Sequence, residues 1–509
     1  MFKILDCTLR DGGYYTNWDF DQNIVETYFE AMNNLPVEYI EIGYRSPTLT
    51  GYNGEYFYCP DFVLKKLATL TSKKLVIILD EKNIELHTVE ELLTPCIGII
   101  TIVRIAIDPE QLLRAIDLAK KVKLMGFEVG FNVMYMSKWK NLPEFLSNLK
   151  YVDGVADYFY MVDSYGGVYP EDVKEIFSVV HSQMKTKIGF HGHNNLELAL
   201  INTLTAIECG ADMVDATITG MGRGAGNLKT ELLLTTLNQR KNIDVDFNSL
   251  SSVTDAFIQL QKKYEWGTNL PYMVSGANSL PQKDVMDWVG KRFYSFNSII
   301  RALSNQSKGL KDNKKLQDYS ANQKFNKVLI VGGGDSVKEH INAIKNYLSI
   351  NLETVIIHSS SRNVSYLNDC KNQQFHCLAG NEGYRLEKIF NTVPENRIAI
   401  LPPYPRTMGT YVPKNFELNS YQLSNIDVTE KYKNSITSLL LQLVKELNAS
   451  DIMVCGYDGY KGEITQHKLE LFNENEFLFR HFSENNFILK SITPTLYTSL
   501  VSKSIYAEF

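Results

Sequence analysis

Residues 187–227 read KIGFHGHNNLELALINTLTAIECGADMVDATITGMGRGAGN. The stretch opens on a short apolar run, Lys187–Phe190, and reaches a second one at Met213–Ile218. Between them Leu196–Cys209 is long enough for a helix and amphipathic at helical spacing. A continuous apolar strand, a helix and another such strand form the repeating unit of a parallel sheet that is covered on both faces.

The unit recurs toward the N-terminus. Further strand-like runs lie at Lys3–Cys7, Val37–Ile42, Lys74–Leu79, Ile99–Ile105, Phe127–Val133 and Tyr158–Val162, with helix-length stretches such as Gln22–Met32 and Pro109–Met125 among them. Eight strands alternating with helices in this span predict a closed (β/α)8 TIM barrel in preference to an open sheet. In such barrels chemistry sits where strands end, so the polar residues after each run are the ones to inspect.

With 509 residues the chain exceeds one ordinary core, and two or three domains are expected. We assign 1–304 to the barrel with a helical, aromatic-rich appendage that includes Asn269–Asn278, 305–325 to a polar linker, and 326–509 to a second α/β domain. That last domain opens on Val328-Leu-Ile-Val-Gly-Gly-Gly-Asp-Ser336, a buried strand running into a glycine turn. A helix (Val337–Leu348), strands at Thr354–His358, Arg397–Leu401 and Asp451–Val454, and a helix at Lys431–Leu447 complete a Rossmann-like, open α/β pattern. Its glycines do not form GxGxxG, and the second strand ends in His358-Ser-Ser-Ser361 without an acid. A fused dehydrogenase, a nucleotide- or sugar-phosphate-binding module, and a structural or partner-docking domain are all open readings of it.

Composition excludes several classes. A formal charge of -6, with only short, mixed basic clusters, gives no footprint for nucleic acid or an anionic membrane. The start of the chain does not have the pattern of a signal peptide, and no run of about 18 apolar residues predicts a membrane span. The seven cysteines are scattered, none in a Cys-x-x-Cys pair, as expected of free thiols in a reducing cytoplasm.

Three segments carry the chemistry: Leu5-Asp-Cys-Thr-Leu-Arg-Asp-Gly-Gly13, Gly189-Phe-His-Gly-His-Asn-Asn195 and Gly220-Met-Gly-Arg-Gly-Ala-Gly-Asn227. In an extended segment residues i and i+2 point the same way, so His191 and His193 can meet one cation. Barrel closure brings strand seven near strand one, which Asp11 follows. Two imidazoles and a carboxylate with open positions suit Mn²⁺, Mg²⁺, Fe²⁺ or Co²⁺, and Zn²⁺ stays open as well. The glycine loop permits positive φ and close approach, and naively reads as a phosphate cradle; it closes on Asn227, whose side-chain oxygen is a reasonable fourth ligand. Arg10 beside Asp11 either pairs structurally with Asp163 or Glu41, or stabilises an enolate oxygen.

In this order the three segments resemble those of the metallolyase superfamily of TIM barrels, which carries Arg-Asp after strand one and His-x-His after strand seven. The resemblance is greatest to the 4-hydroxy-2-oxovalerate aldolases, and Val103-Arg-Ile-Ala106 and Tyr160-Met-Val-Asp-Ser164 add to it. It covers roughly residues 1 to 280. The resemblance implies metal ligation by Asp11, His191 and His193 with Asn227 nearby or as fourth ligand, and Arg10 as the enolate-stabilising cation. It implies a divalent cofactor, Mn²⁺ or Mg²⁺ foremost, and small-molecule partners: pyruvate or another 2-oxo acid, and an aldehyde. The implied reaction is reversible aldol cleavage of a 4-hydroxy-2-oxo acid through a metal-stabilised enolate. A homodimer is in keeping with barrels of this kind.

One departure concerns the proton. Where these aldolases place a histidine, three residues after the motif aspartate, this chain has Tyr14. A tyrosine, with an ordinary pKa near 10, serves as an acid near neutrality and poorly as a base. Tyr272 in the appendage is a second candidate, and stacking against a substrate is the plainer role for both. Two other functions compete with the aldolase: a Claisen-type acyltransferase joining acetyl-CoA to a 2-oxo acid, and a barrel whose chemistry has decayed into a scaffold for the C-terminal module.

Overall fold

The computed structural model describes residues 2–509 except 292–293, 312–313, 322–323, 407–409, 463 and 465. The chain divides into two compact units, Met1–Met286 and Asp287–Phe509.

In the first unit eight parallel strands close a barrel: β1 (Lys3–Asp6), β2 (Tyr39–Tyr44), β3 (Lys74–Asp80), β4 (Ile100–Ile107), β5 (Glu128–Val133), β6 (Tyr158–Asp163), β7 (Lys187–Gly192) and β8 (Met213–Ala216). Closure is made by β1 against β8, with Lys3 opposite Met213 and Asp6 opposite Ala216. The strands read as continuous apolar runs because one face lines the lumen while the other meets helices such as Gln22–Asn34, Leu112–Leu124 and Pro170–Gln183. The strand-like runs expected from the sequence all appear, with ends shifted by a residue or two.

Alternation along each strand sorts the lumen into layers. Tyr39, Ile102, Tyr158 and Met213 are packed in one buried cluster with Tyr160 and Leu5. Two residues further along three of these strands come Glu41, Arg104 and Asp215, all buried and charged. The apolar layer plugs the barrel, and the charged layer above it floors the site. Beyond β8, the helices Phe247–Tyr264, Leu270–Ala277 and Gln282–Lys291 form the expected appendage.

The second unit is an open, all-parallel sheet in the order β13-β12-β11-β10-β9-β14-β15-β16. Its strands are β9 (Lys327–Val331), β10 (Val355–His358), β11 (Gln374–Cys377), β12 (Arg397–Leu401), β13 (Ser420–Gln422), β14 (Asp451–Cys455), β15 (Leu489–Ser491) and β16 (Val501–Ser502). Val328 and Ile330 enter one core while Leu329 and Val331 enter another, so both faces are covered, as the Rossmann-like reading requires. The sheet order reverses beside β9, where the Gly332–Gly334 turn follows the strand. There the Asp458 carboxylate accepts the Ser336 N–H (2.9 Å) and lies against Gly334. A carboxylate thus stands where a dinucleotide fold would hold a phosphate.

Four strands of this sheet are not legible in the sequence. β11 reads Gln-Phe-His-Cys, yet its polar side chains are buried: His376 stacks on His358 with ring centroids 4.7 Å apart, and Gln374 Oε1 lies 2.8 Å from His358 Nε2. Polar residues that satisfy one another across strands hide the apolar signal. The unit boundary also differs from the expected 304. Helix Phe296–Ser307 groups with the second unit, burying Ile299 and Leu303, and Arg301 lies over the Tyr411 ring there. Part of 305–325, expected as linker, is packed: Leu316 is 8% exposed and Asp318 bridges to Gln422. No helix among the described residues is long and apolar enough to cross a membrane.

Candidate metal centre

The chain turns directly from β1 into the helix Thr8–Thr16, so Arg10, Asp11 and Tyr14 rise within one turn or so above the end of the strand. Cys7 precedes that helix, and its single S–H is within reach of two acceptors, Asp11 Oδ2 and the Ala216 carbonyl, 3.6 Å from the sulfur in each case. Burial, then the Asp11 carboxylate, push the thiol well above its usual pKa, so Cys7 stays a neutral donor. His191 lies on β7 and His193 just past its end, ring centroids 5.0 Å apart. His191 Nε2 faces Asp11 Oδ2 at 3.8 Å.

The other nitrogen of each imidazole is occupied. His193 Nδ1 lies 2.8 Å from the Asp163 carbonyl oxygen, which can only accept, and His191 Nδ1 lies 2.9 Å from Asp215 Oδ2. Both Nδ1 atoms therefore carry the proton, and both Nε2 lone pairs are free to ligate. Burial, with His191 nearby, lowers the His193 pKa to about 3, so the ring is neutral at ordinary pH. Burial works against the Asp11 carboxylate too, but Arg10, with the Asn227 hydrogen bond, overcomes it and holds Asp11 below its ordinary value.

Asn227 arrives by a different route. The loop after β8 returns to the barrel mouth, and Asn227 forms an antiparallel bridge with His193. Its amide nitrogen donates to Asp11 Oδ2 at 2.6 Å, while its Oδ1 is buried without a partner. The glycines exist for this return. A Cβ on Gly222 would lie 2.6 Å from Asn227 Nδ2, and Gly226, at φ +78°, would place one 2.2 Å from the Gly220 carbonyl. The glycines thus seat Asn227 beside Asp11 and His193, which accounts for them without a phosphate.

Beneath these groups runs a buried ionic network. Arg10 Nε donates to Glu41 Oε2 (2.7 Å) and its Nη1 pairs with Asp11. Arg104 donates to Glu41 (3.2 Å), Asp215 (2.7 Å) and Asn132 (2.6 Å), with its guanidinium 3.9 Å from the Tyr160 ring centroid. Of the two partners considered for Arg10, the structure selects Glu41; the Asp163 carboxylate instead accepts the Gly167 and Val168 amides. Two guanidinium groups face three carboxylates (Asp11, Glu41, Asp215), which leaves one negative charge in excess.

That excess, two aimed Nε2 lone pairs, an ionised Asp11 and the orphaned Asn227 oxygen fit a divalent cation. Asp11, His191 and His193 would hold it, with Asn227 Oδ1 as fourth donor. Cys7, Asp11 and His191 also converge, with donor atoms within 4.8 Å of one another. Sequence reasoning passed over Cys7, Arg104 and Asp215 as site residues. Arg104 and Asp215 do carry a signal, a charged residue inside an apolar strand, but its direction is set only by the closed barrel.

The two tyrosines part company. Tyr14, one helical turn beyond Asp11, has its hydroxyl 3.0 Å from that of Tyr44 and its ring 4.9 Å from the Arg223 guanidinium. Tyr272 is buried, its ring close to Gly224, and its carbonyl accepts from Asn195. It has no contact with the proposed ligands among the described residues and forms a wall of the loop.

Comparison with known proteins agrees with this architecture. The HMGL-like family model matches residues 92–257. The chain is 31% identical over 284 residues to the 4-hydroxy-2-oxovalerate aldolase of Moorella thermoacetica, covering 54% of this chain and 82% of that protein. It is 28% identical over 322 residues to the oxaloacetate decarboxylase of Mycobacterium tuberculosis, covering 60% and 92%. A crystal structure of the N-terminal domain of a candidate aldolase from Bacteroides vulgatus is 58% identical, spans 59% of this chain and all of that one, and superposes with a TM-score of 0.57. The chain therefore belongs to the HMGL-like family of TIM-barrel, metal-dependent lyases, through a barrel related to the 4-hydroxy-2-oxovalerate aldolases.

Proposed function

We propose that the protein is a metal-dependent aldolase that cleaves, and in reverse forms, a 4-hydroxy-2-oxo acid, with pyruvate or a related 2-oxo acid and an aldehyde as the fragments. One observation carries the reading: both imidazoles have Nδ1 tied down so that Nε2 is free beside an ionised Asp11, with Arg10 fixed alongside. When bound, a divalent cation would supply Lewis acidity toward the oxygens of the 2-oxo acid.

The chain's own groups do the rest. Arg10 is clamped through Nε and Nη1, and its Nη2 has no protein partner among the described residues. It is thus positioned to donate to the 2-oxo oxygen as negative charge develops there, without reorganising. Tyr14 stands above, hydrogen-bonded to Tyr44, whose own hydroxyl is kept protonated by burial and by Tyr14 itself. Tyr14 is the group to hold or pass the proton at the 4-oxygen, the task its relatives' pattern gives to a histidine.

The test is exchange of the pyruvate C3 protons for deuterium, followed by NMR with and without Mn²⁺ or Mg²⁺. Exchange that needs metal and disappears in Asp11→Ala is expected; no exchange under any condition would reject enolate chemistry. Thiol release from acetyl-CoA with a 2-oxo acid would replace the aldolase by the acyltransferase. The relative named oxaloacetate decarboxylase favours a second reading, in which the same oxyanion forms with loss of carbon dioxide. Oxaloacetate turned over faster than any 4-hydroxy-2-oxo acid would select it.

A further inference from the structure

The two guanidinium groups at the floor of the site are paired. Arg10 and Arg104 each face two carboxylates. Arg223, in the middle of the glycine loop, forms no ion pair and its guanidinium makes no hydrogen bond among the described residues; it lies 4.9 Å from the Tyr14 ring centroid. The position is built. The Gly226 amide donates to the Arg223 carbonyl at 3.2 Å, and the preceding Gly222 lies against Asn227. Arg223 therefore stands between a proposed metal ligand and Tyr14. Burial works against its charge, and the carboxylate that acts on it, Asp11, is already paired with Arg10.

A second cation shares this mouth. Lys138, after β5, lies 4.8 Å from the Tyr165 ring centroid and 5.5 Å from that of Tyr135, again without an acid partner among the described residues. The acid that acts on Tyr135, Asp108, is engaged as the N-cap of Glu110 (3.1 Å). A half-buried guanidinium with no ion-pair partner of its own is costly unless a ligand supplies one.

We propose that Arg223 determines specificity by anchoring an anionic group, carboxylate or phosphate, on the aldehyde, with Lys138 at the rim reinforcing it. The inference rests on the aldolase reading and names its substrate class: a negatively charged aldehyde. Because the guanidinium lies over the ring of Tyr14, which is assigned to the 4-oxygen, the group it holds belongs to the aldehyde fragment and not to the 2-oxo acid carboxylate near Arg10.

The test uses the full chain with Mn²⁺ and pyruvate, and two matched pairs of aldehydes: butanal against 4-oxobutanoate, and glyceraldehyde against glyceraldehyde 3-phosphate. The readout is the ratio of kcat/KM, charged over neutral. Wild type should favour the charged member of at least one pair by about 10- to 100-fold, as a charged hydrogen bond warrants. The pair that shows it tells carboxylate from phosphate. In Arg223→Ala and Arg223→Gln the ratio should fall to near 1, and Arg223→Lys should keep part of it. A wild-type ratio near 1 in both pairs overturns the inference, as does equal loss toward charged and neutral aldehydes in Arg223→Ala. Wild-type pyruvate exchange, measured in parallel, separates the two levels: with exchange present, only this inference falls; with exchange absent, the aldolase reading falls and takes it along.

Discussion

Asp215 is the strongest place to test how the site is set. Its Oδ2 accepts from His191 Nδ1 (2.9 Å) and from Arg104 Nη2 (2.7 Å), while its Oδ1 is buried and unpartnered. In Asp215→Asn the amide oxygen can stand where Oδ2 stands and keep both bonds, so the change removes the charge and puts an amide nitrogen at the buried Oδ1 position. Asp215→Ala removes the charge and both bonds. A hydrogen bond to a charged group contributes about 1.5–3 kcal/mol, or roughly 10- to 150-fold in an equilibrium constant. Loss of a partner that orients a metal-ligating histidine typically costs about 10–100-fold in affinity. Mn²⁺ affinity by titration calorimetry should therefore fall about 10-fold in the Asn variant and about 100-fold in the Ala variant. Asp215→Ala also leaves the fully buried Arg104 with Glu41 as its sole carboxylate, which should lower the stability of the barrel by about 3–5 kcal/mol, seen as an earlier calorimetric transition. Wild-type Mn²⁺ affinity in both variants would refute the claim that Asp215 fixes the His191 lone pair.

Three further outcomes are expected. Arg10→Gln should lower turnover by about 100- to 1000-fold, the usual effect of deleting one oxyanion donor, while Mn²⁺ content by elemental analysis persists. Gly222→Ala should weaken metal binding much as Asn227→Ala does, because the added Cβ would lie 2.6 Å from Asn227 Nδ2; equal affinity to wild type would mean the loop does not aim that residue. Burial, only partly offset by Gln374, lowers the folded pKa of His358 from 6.5 to about 4. The unfolded chain then binds a proton that the folded state refuses, so stability holds above pH 6.5 and declines between pH 6.5 and 4, by about 3 kcal/mol at the lower end. Denaturant unfolding of the second unit across that range checks the sign, and stability that rises toward pH 4 would refute it.

Much of this protein was legible in one dimension. The eight barrel strands are apolar throughout because both their faces are covered, and that pattern is local. Asp11, His191 and His193 are each covalently tied to the end of such a strand, so knowing the barrel was enough to bring them together. Asn227 was harder: it reaches His193 through a loop whose path depends on Gly222 and Gly226. β11 was not legible at all, since its histidine and glutamine look like surface residues until their partners on β10 are in place.

The local pattern of the chain sets the repeating βα unit and supplies the donor atoms. Which nitrogen of each histidine is free, which acid faces Arg10 and which cations lack one follow from the closed barrel. Arg104 meets Glu41 across 63 residues and Asp215 across 111, and Asp215 in turn sets His191. No local pattern encodes such a chain of contacts, because barrel closure alone brings its members within hydrogen-bonding reach, and the low dielectric of the buried lumen then makes each charge depend on the next.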